Sequence, residues 1–354
     1  MRGWALGEGF SLSLTLSRWE RGVELEAEMA LLEVKNLKTT FDTPSGKVQA
    51  LNGVSFSVDR GKTLAIVGES GSGKSVTLRS ILRILGSRAK ITGEVWLENL
   101  QLLSLPEKEM REVRGRRISM IFQEPIAALD PVFTCGEQII ETLTRHQKMS
   151  RNEAWRRAKE LLDLVQIPAA ERRLKAYPHE LSGGMRQRMM IAIALACDPD
   201  VLLADEPTTA LDVTVQAQVL TLIRDLQEQL GMGVIFVTHD LGVVAEVADD
   251  VTVMYAGRVV EFGPVRHVLR TPSHPYTEGL AMATVRRGEA RERLIPIPGA
   301  PPDLLHLPPG CAFAPRCSYA TDECREAVPA EVWTSPATMS RCVRTGRSAV
   351  AQPA

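Results

Sequence analysis

Eight consecutive residues, Gly68-Glu69-Ser70-Gly71-Ser72-Gly73-Lys74-Ser75, place three glycines ahead of a lysine and a hydroxyl in the order G-x-x-x-x-G-K-S. That order suits phosphate chemistry. Glycines let successive backbone N–H groups turn inward to form an anion-binding nest, and a helix N-terminus directly behind them adds its positive dipole end. Lys74 supplies a point charge for the β- and γ-phosphates of a nucleotide, and Ser75 supplies a hydroxyl for Mg²⁺. Gly68, Ser70, Gly71, Ser72, Gly73, Lys74, Ser75 and Val76 are therefore the expected nucleotide-binding residues. A flexible Gly/Ser loop that matches by accident is the plain alternative. The flanking run TLAIVG and the amphipathic stretch from Val76 to Leu85 supply the strand-then-helix context that favours phosphate.

A second cluster of chemistry lies further on. VLLADE ends an apolar run with two adjacent carboxylates, Asp205 and Glu206, which burial would make costly without a cation or a proton. In a nucleotide site Asp205 would hold Mg²⁺, directly or through water, and Glu206 would polarise the attacking water as general base. His239 follows the apolar run VIFVT. A lone histidine is more often structural than catalytic, but the end of a buried strand is where ligands gather in open α/β sheets.

These residues need a scaffold that brings several strand ends to one edge. LLEVKNLKTTF and QALNGVSFSVDR are predicted as paired strands joined by a turn at Pro44, Ser45 and Gly46. TLAIVG, ISMIF (118–122), VLLAD (201–205) and GVIFVT (233–238) are short apolar runs of the kind buried on both faces of a parallel sheet. Helical stretches separate them, so the class is α/β. Residues 136–177 are helix-rich. After about Val285 a series of prolines interrupts regular structure, and a cysteine cluster follows.

Leu181-Ser182-Gly183-Gly184-Met185-Arg186-Gln187-Arg188 resembles the signature motif of ATP-binding cassette (ABC) proteins. Physically, a hydroxyl and free N–H groups at a helix start face an anion. The resemblance extends over residues 31 to about 342. It implies that Ser182, Gly183 and Gly184 meet the γ-phosphate bound by an opposite subunit. It also makes Gln123 a Q-loop glutamine sensing Mg²⁺ and the membrane partner, and His239 a switch histidine. Phe41 takes the place of an adenine-stacking aromatic, with an ordinary strand phenylalanine as the alternative. Thr209-Ala210-Leu211-Asp212 resembles the D-loop, with Thr209 where the family more often has Ser. Implied catalytic residues are Glu206, His239, Gln123 and Lys74; implied Mg²⁺ ligands are Ser75, Gln123 and Asp205.

The implied fold is α/β: a P-loop NTPase cassette with a mainly parallel core sheet, an antiparallel β subdomain and a helical subdomain. A small cysteine-containing C-terminal appendage completes it. The expected organisation is a flexible extension or misassigned start over 1–29, a nucleotide-binding domain over 30–284 with its helical subdomain at about 124–180, the appendage over 285–345, and a flexible tail over 346–354.

Finer features, among them GESGSGKS and SHPYTEGL…PGAPP…GCAFAPRC, are similar to the oligopeptide/dipeptide permease ATPases. This branch implies an ATP-hydrolysing importer subunit working with two membrane-spanning permease subunits, a second and different ABC ATPase, and an extracytoplasmic substrate-binding protein. Nickel or another small solute is the alternative cargo. A soluble cassette machine acting on DNA or ribosomes is the second class; a single cassette without sustained heptads speaks against it.

The chain has 42 Lys+Arg against 43 Asp+Glu, a balance that disfavours binding nucleic acid through a broad basic surface. No run reaches the roughly 18–20 apolar residues of a spanning helix, and no secretory h-region is seen. The expected place is the cytoplasmic face of the membrane, with other subunits spanning it.

Cys311, Cys317, Cys324 and Cys342 run C-x5-C-x6-C-x17-C. This is neither the pairing of zinc ribbons nor a bacterial ferredoxin spacing, and a reducing cytoplasm disfavours disulfides. The permease resemblance implies a structural or regulatory [4Fe–4S] cluster, with zinc second and free thiols third. Cys135 and Cys197 are expected as buried apolar fillers.

Overall fold

A computed structural model describes residues 30–124, 128–209, 211–283 and 296–345. The expected N-terminal extension, the C-terminal tail and Ala210 of the D-loop-like stretch lie outside the described residues.

The antiparallel pair expected near the start is present. Strand β1 (Leu32–Thr43) pairs with β2 (Gly46–Val58). The core strand β3 (Thr63–Val67) comes next, and β4 (Ala89–Leu97) and the short β5 (Leu100–Gln101) then extend the first sheet in the order β2-β1-β4-β5.

The second sheet carries the chemistry. Together with β3 it contains β6 (Ile118–Ile121), β7 (Val201–Asp205), β8 (Gly233–Val237), β9 (Asp250–Tyr255), β10 (Arg258–Pro264), β11 (Val332–Ser335) and β12 (Thr338–Ser340), ordered β11-β12-β10-β9-β3-β8-β7-β6. From β9 to β6 the pairing is parallel. Every residue of β3, β6, β7 and β8 is buried, as expected of strands covered on both faces.

The helix behind the phosphate loop spans Lys74–Ile81, so it begins two residues earlier and ends earlier than the predicted Val76–Leu85. Its end follows from Arg83, whose φ of 53° lies in the left-handed region and breaks the helical run. In the helix-rich lobe, Cys135–Gln147 and Arg151–Leu164 each start with a capping box, Thr134 with Glu137 and Ser150 with Glu153. This lobe has no core of its own. Ile139, Leu143 and Leu161 share one apolar cluster with Met189 and Ile191 of the following helix and with Leu202 and Phe236 of the sheet.

The C-terminal region, expected as a small appendage, adds strands to the edge of the core sheet. Strand β12 pairs with β10, setting Glu261 opposite Ser340 and Phe262 opposite Met339, and β11 folds back on β12. An edge strand exposes unpaired N–H and C=O groups, and a late hairpin satisfies them. Tyr255, Val260, Tyr276 and Phe313 form a further core joining this region to the sheet. Cys135 and Cys197 are buried, and burial pushes both thiols up to about 11.

Candidate active site

Four parallel strands deliver the chemistry to a single edge. Gly68 follows β3, Gln123 follows β6, Asp205 ends β7 with Glu206 after it, and His239 follows β8. All lie at the C-terminal ends of their strands, where ligands bind in sheets of this kind.

The loop between β3 and its helix depends on glycine at two points. At Gly68 φ is 151°, and a Cβ there would stand 2.2 Å from the Met254 carbonyl oxygen. At Gly73 φ is 103°, and a Cβ would press on Leu51 and the Ala50 carbonyl. Within the loop Lys74 is buried, and its Nζ donates to the carbonyls of Gly68 (2.7 Å) and Glu69 (2.9 Å). Burial lowers the Lys74 pKa from the ordinary lysine value, opposed by the negative charges of Glu206, Asp205 and Glu69.

Asp205 is fully buried, and burial raises its carboxyl above the usual range. One oxygen accepts a 2.7 Å hydrogen bond from the Ser75 hydroxyl. The other, Oδ2, has no hydrogen-bond partner and lies 3.7 Å from the Arg79 guanidinium. A buried carboxylate oxygen without a donor, next to a hydroxyl at the phosphate loop, is a hard-oxygen set that fits Mg²⁺. In nucleotide sites this ion takes its remaining ligands from phosphates and water. Ser75 and Asp205 would hold it.

Glu206 is the hub of the second half. Its backbone is in the left-handed region, with φ at 46°. Its Oε2 accepts from Gln123 Nε2 (3.0 Å) and from the Thr209 hydroxyl (2.9 Å), and its Oε1 lies 3.4 Å from His239 Nδ1. Thr209, Gln123 and His239 thus converge on one carboxylate from three segments.

Ser182 caps the helix Gly183–Leu195 by accepting from the Met185 N–H at 3.4 Å, and Ser182 and Gly183 are exposed. A helix start with an exposed hydroxyl and glycines is open to an anion brought by another subunit. Phe41 lies in β1, opposite Val48 and Ala89, and is partly exposed.

Sequence reasoning missed Arg79, which faces Asp205, and missed the surroundings of Glu69. The Glu69 N–H donates to Tyr276 Oη at 2.7 Å, and its carboxylate takes two bonds from Arg316, at 2.6 and 3.0 Å. Tyr276 lies in SHPYTEGL and Arg316 in GCAFAPRC, two stretches whose wording signalled a family without revealing a contact.

The cysteines stand apart from this edge. Among the described residues no group of three or more His, Cys, Asp or Glu side chains is placed to hold a metal ion. Burial raises the thiol pKa of Cys311, Cys317 and Cys342. As placed, the four sulfurs are not gathered around a common point.

The ABC transporter family profile matches residues 51–209, and the profile for the oligopeptide/dipeptide transporter C-terminal region matches 260–324. The oligopeptide transport ATP-binding protein OppD of Escherichia coli is 49% identical over 315 residues, covering 89% of this chain and 93% of its own. Its Bacillus subtilis namesake is 54% identical over 293 residues, 82% of each chain. A solved dimeric ATP-binding cassette in a post-hydrolysis state with ADP and Pi superposes with a TM-score of 0.60 at 33% identity, over 66% of this chain and 99% of that one. With the phosphate loop, the acidic strand end and the signature helix all in place, the chain belongs to the ATP-hydrolysing subunits of ABC transporters, in the branch that carries the oligopeptide/dipeptide transporter C-terminal region.

Proposed function

We propose that this ABC ATPase drives uptake of di- or oligopeptides across the cytoplasmic membrane, from its cytoplasmic face. The observation that carries the mechanism is the convergence of Gln123, Thr209 and His239 on Glu206, beside the Ser75–Asp205 pair. Gly68, Ser70, Gly71, Ser72, Gly73, Lys74, Ser75 and Val76 bind the phosphates, and Phe41 stacks on the base. Ser75 and Asp205, with Gln123, would hold Mg²⁺, which would supply charge neutralisation at the phosphates. Glu206 accepts the proton of the attacking water while Gln123 and Thr209 fix its orientation. His239 donates toward the γ-phosphate. Ser182, Gly183 and Gly184 of a second cassette close the other side and exclude water from the in-line attack.

The peptide cargo rests on the C-terminal region shared with relatives named for oligopeptide transport. The partners are two membrane-spanning permease subunits, a second ABC ATPase and, through the complex, a substrate-binding protein. No helix among the described residues is long and apolar enough to cross a membrane. A contact surface for a membrane partner follows Gln123: Val132 is 70% and Phe133 51% exposed, and Phe133, Ile140 and Thr144 line a groove of about 320 Å³ with Glu137, Glu141 and Arg151. Exposed apolar groups beside a nucleotide-sensing segment suit docking of a helix from such a partner.

For the cysteine region we retain the [4Fe–4S] reading, with zinc second. Its support is the permease resemblance of the stretch holding the four cysteines, together with the Cys311 N–H donating to the Cys324 carbonyl at 2.7 Å, which sets two of the four side by side. Anaerobic affinity purification from mild-detergent membranes tests both readings in one preparation. Two multi-span proteins and a second cassette are expected by mass spectrometry, and iron with acid-labile sulfide by analysis. Soluble partners alone would overturn the transporter reading, and stoichiometric zinc without iron would overturn the cluster.

A further inference from the structure

We infer that Arg316 is a positioning residue for the phosphate loop, through which the cysteine-rich segment acts on nucleotide binding; this rests on the nucleotide site proposed above. Glu69 is the second residue of the loop, and each of its polar groups is tied. Its carbonyl accepts from Lys74 at 2.9 Å. Its N–H donates to Tyr276 Oη, and its carboxylate receives the two Arg316 bonds. Two of these three ties come from beyond residue 270. A bidentate guanidinium–carboxylate pair restricts orientation as well as distance, so Glu69 fixes how the chain leaves β3 and enters the nest.

Arg316 is itself held. Its side chain is 5% exposed. It donates to Tyr255 Oη (3.2 Å) and to the Pro298 carbonyl (2.8 Å), and its guanidinium lies 5.9 Å from the ring centres of Tyr255 and Phe313. Its backbone closes the short turn Ala314–Arg316 between Cys311 and Cys317, and the Cys311 N–H donates to the Cys324 carbonyl at 2.7 Å. Tyr276 is equally constrained. His274, fully buried, accepts the Tyr276 N–H at 3.0 Å, and the N–H groups of Ser273 and His274 both donate to the Glu261 carboxylate. SHPY and APRC, far apart in the chain, therefore meet at one residue of the phosphate loop. Any change that shifts the cysteine turn moves Arg316, and with it Glu69.

The test uses the full chain, with ATP binding by titration calorimetry and steady-state hydrolysis of the assembled transporter. In Arg316→Met both Kd and KM for ATP are expected to rise about tenfold, with kcat at saturating ATP within about twofold. Arg316→Lys should recover part of the loss, and Glu69→Gln should reproduce it. The double variant should be no worse than either single one, because both remove the same tie. Wild-type KM in folded Arg316→Met, or additive losses in the double variant, would overturn the inference. Should Arg316→Met not fold, Glu69→Gln alone decides: a raised KM supports the tie and an unchanged KM removes it. Failure of the wild-type chain to bind ATP at all would instead remove the nucleotide site on which the inference rests.

Discussion

The phosphate-binding edge and the cysteine-rich end are built on opposite principles. At the phosphate loop of that edge, the geometry is carried by the backbone: the strand stops in register with its neighbours, two glycines adopt conformations closed to other residues, and Lys74 folds back onto carbonyls of its own loop. At the cysteine-rich end, the arrangement depends on long side chains reaching across the fold. Arg316 meets Glu69, 247 residues away in the chain, and Tyr276 meets the same residue from a helix start. The loop is local and survives in sequence as spacing. The second is a set of tertiary contacts, and its residues carry no spacing rule.

Three changes probe this contrast. The largest effect is expected from Glu206→Gln, which keeps the side-chain size and the Gln123 contact but removes the base. Turnover should fall about 10²–10⁴-fold with ATP binding retained, measured by phosphate release and by titration. Unchanged turnover would remove Glu206 from that role.

Gly310→Ala acts at the other end. A Cβ there would lie 2.3 Å from the Cys324 carbonyl, with Arg325 backbone atoms next nearest, so the strain cannot relax through a flexible side chain. A cost of about 3 kcal/mol is expected in chemical denaturation. If the two regions are joined as inferred, KM for ATP rises in the same variant; a stability loss with wild-type KM would show the cysteine turn to be mechanically separate.

The smallest effect concerns His274. Burial pushes its pKa down to about 3, so between the ordinary value and that one the unfolded chain binds a proton that the folded chain does not. Stability is then complete above the unfolded pKa and falls as pH drops, by about 1.4 kcal/mol per unit from this group alone. Glu261, raised by burial, works in the reverse direction and is common to both proteins compared. From pH 7 to 5 the wild type should lose about 2 kcal/mol more than His274→Asn, which keeps an acceptor for the Tyr276 N–H. Equal losses would mean that His274 is charged in the fold.

The α/β class, the buried strands, the glycine-rich loop and the acidic strand end were all legible. Short apolar runs bounded by turn residues suit strands covered on both faces, and G-x-x-x-x-G-K-S fixes a loop whose conformation follows from its glycines. The signature helix was legible because a cap and glycines precede a long apolar run. The boundary near 285 was less so: prolines mark a break in regular structure, but they do not reveal that β12 returns to pair with β10. Pairing between strands more than 70 residues apart depends on which edge remains free once the rest has folded.

By itself the sequence determined the glycine-rich loop and the buried strands around it, because periodicity and glycine spacing are local properties. Only the tertiary structure decided that Glu206 gathers Gln123, Thr209 and His239, that Asp205 faces Arg79, and that Glu69 is gripped by Tyr276 and Arg316. Each of these is a meeting of distant segments, set by strand order and packing, and strand order is not written in any single stretch of the chain.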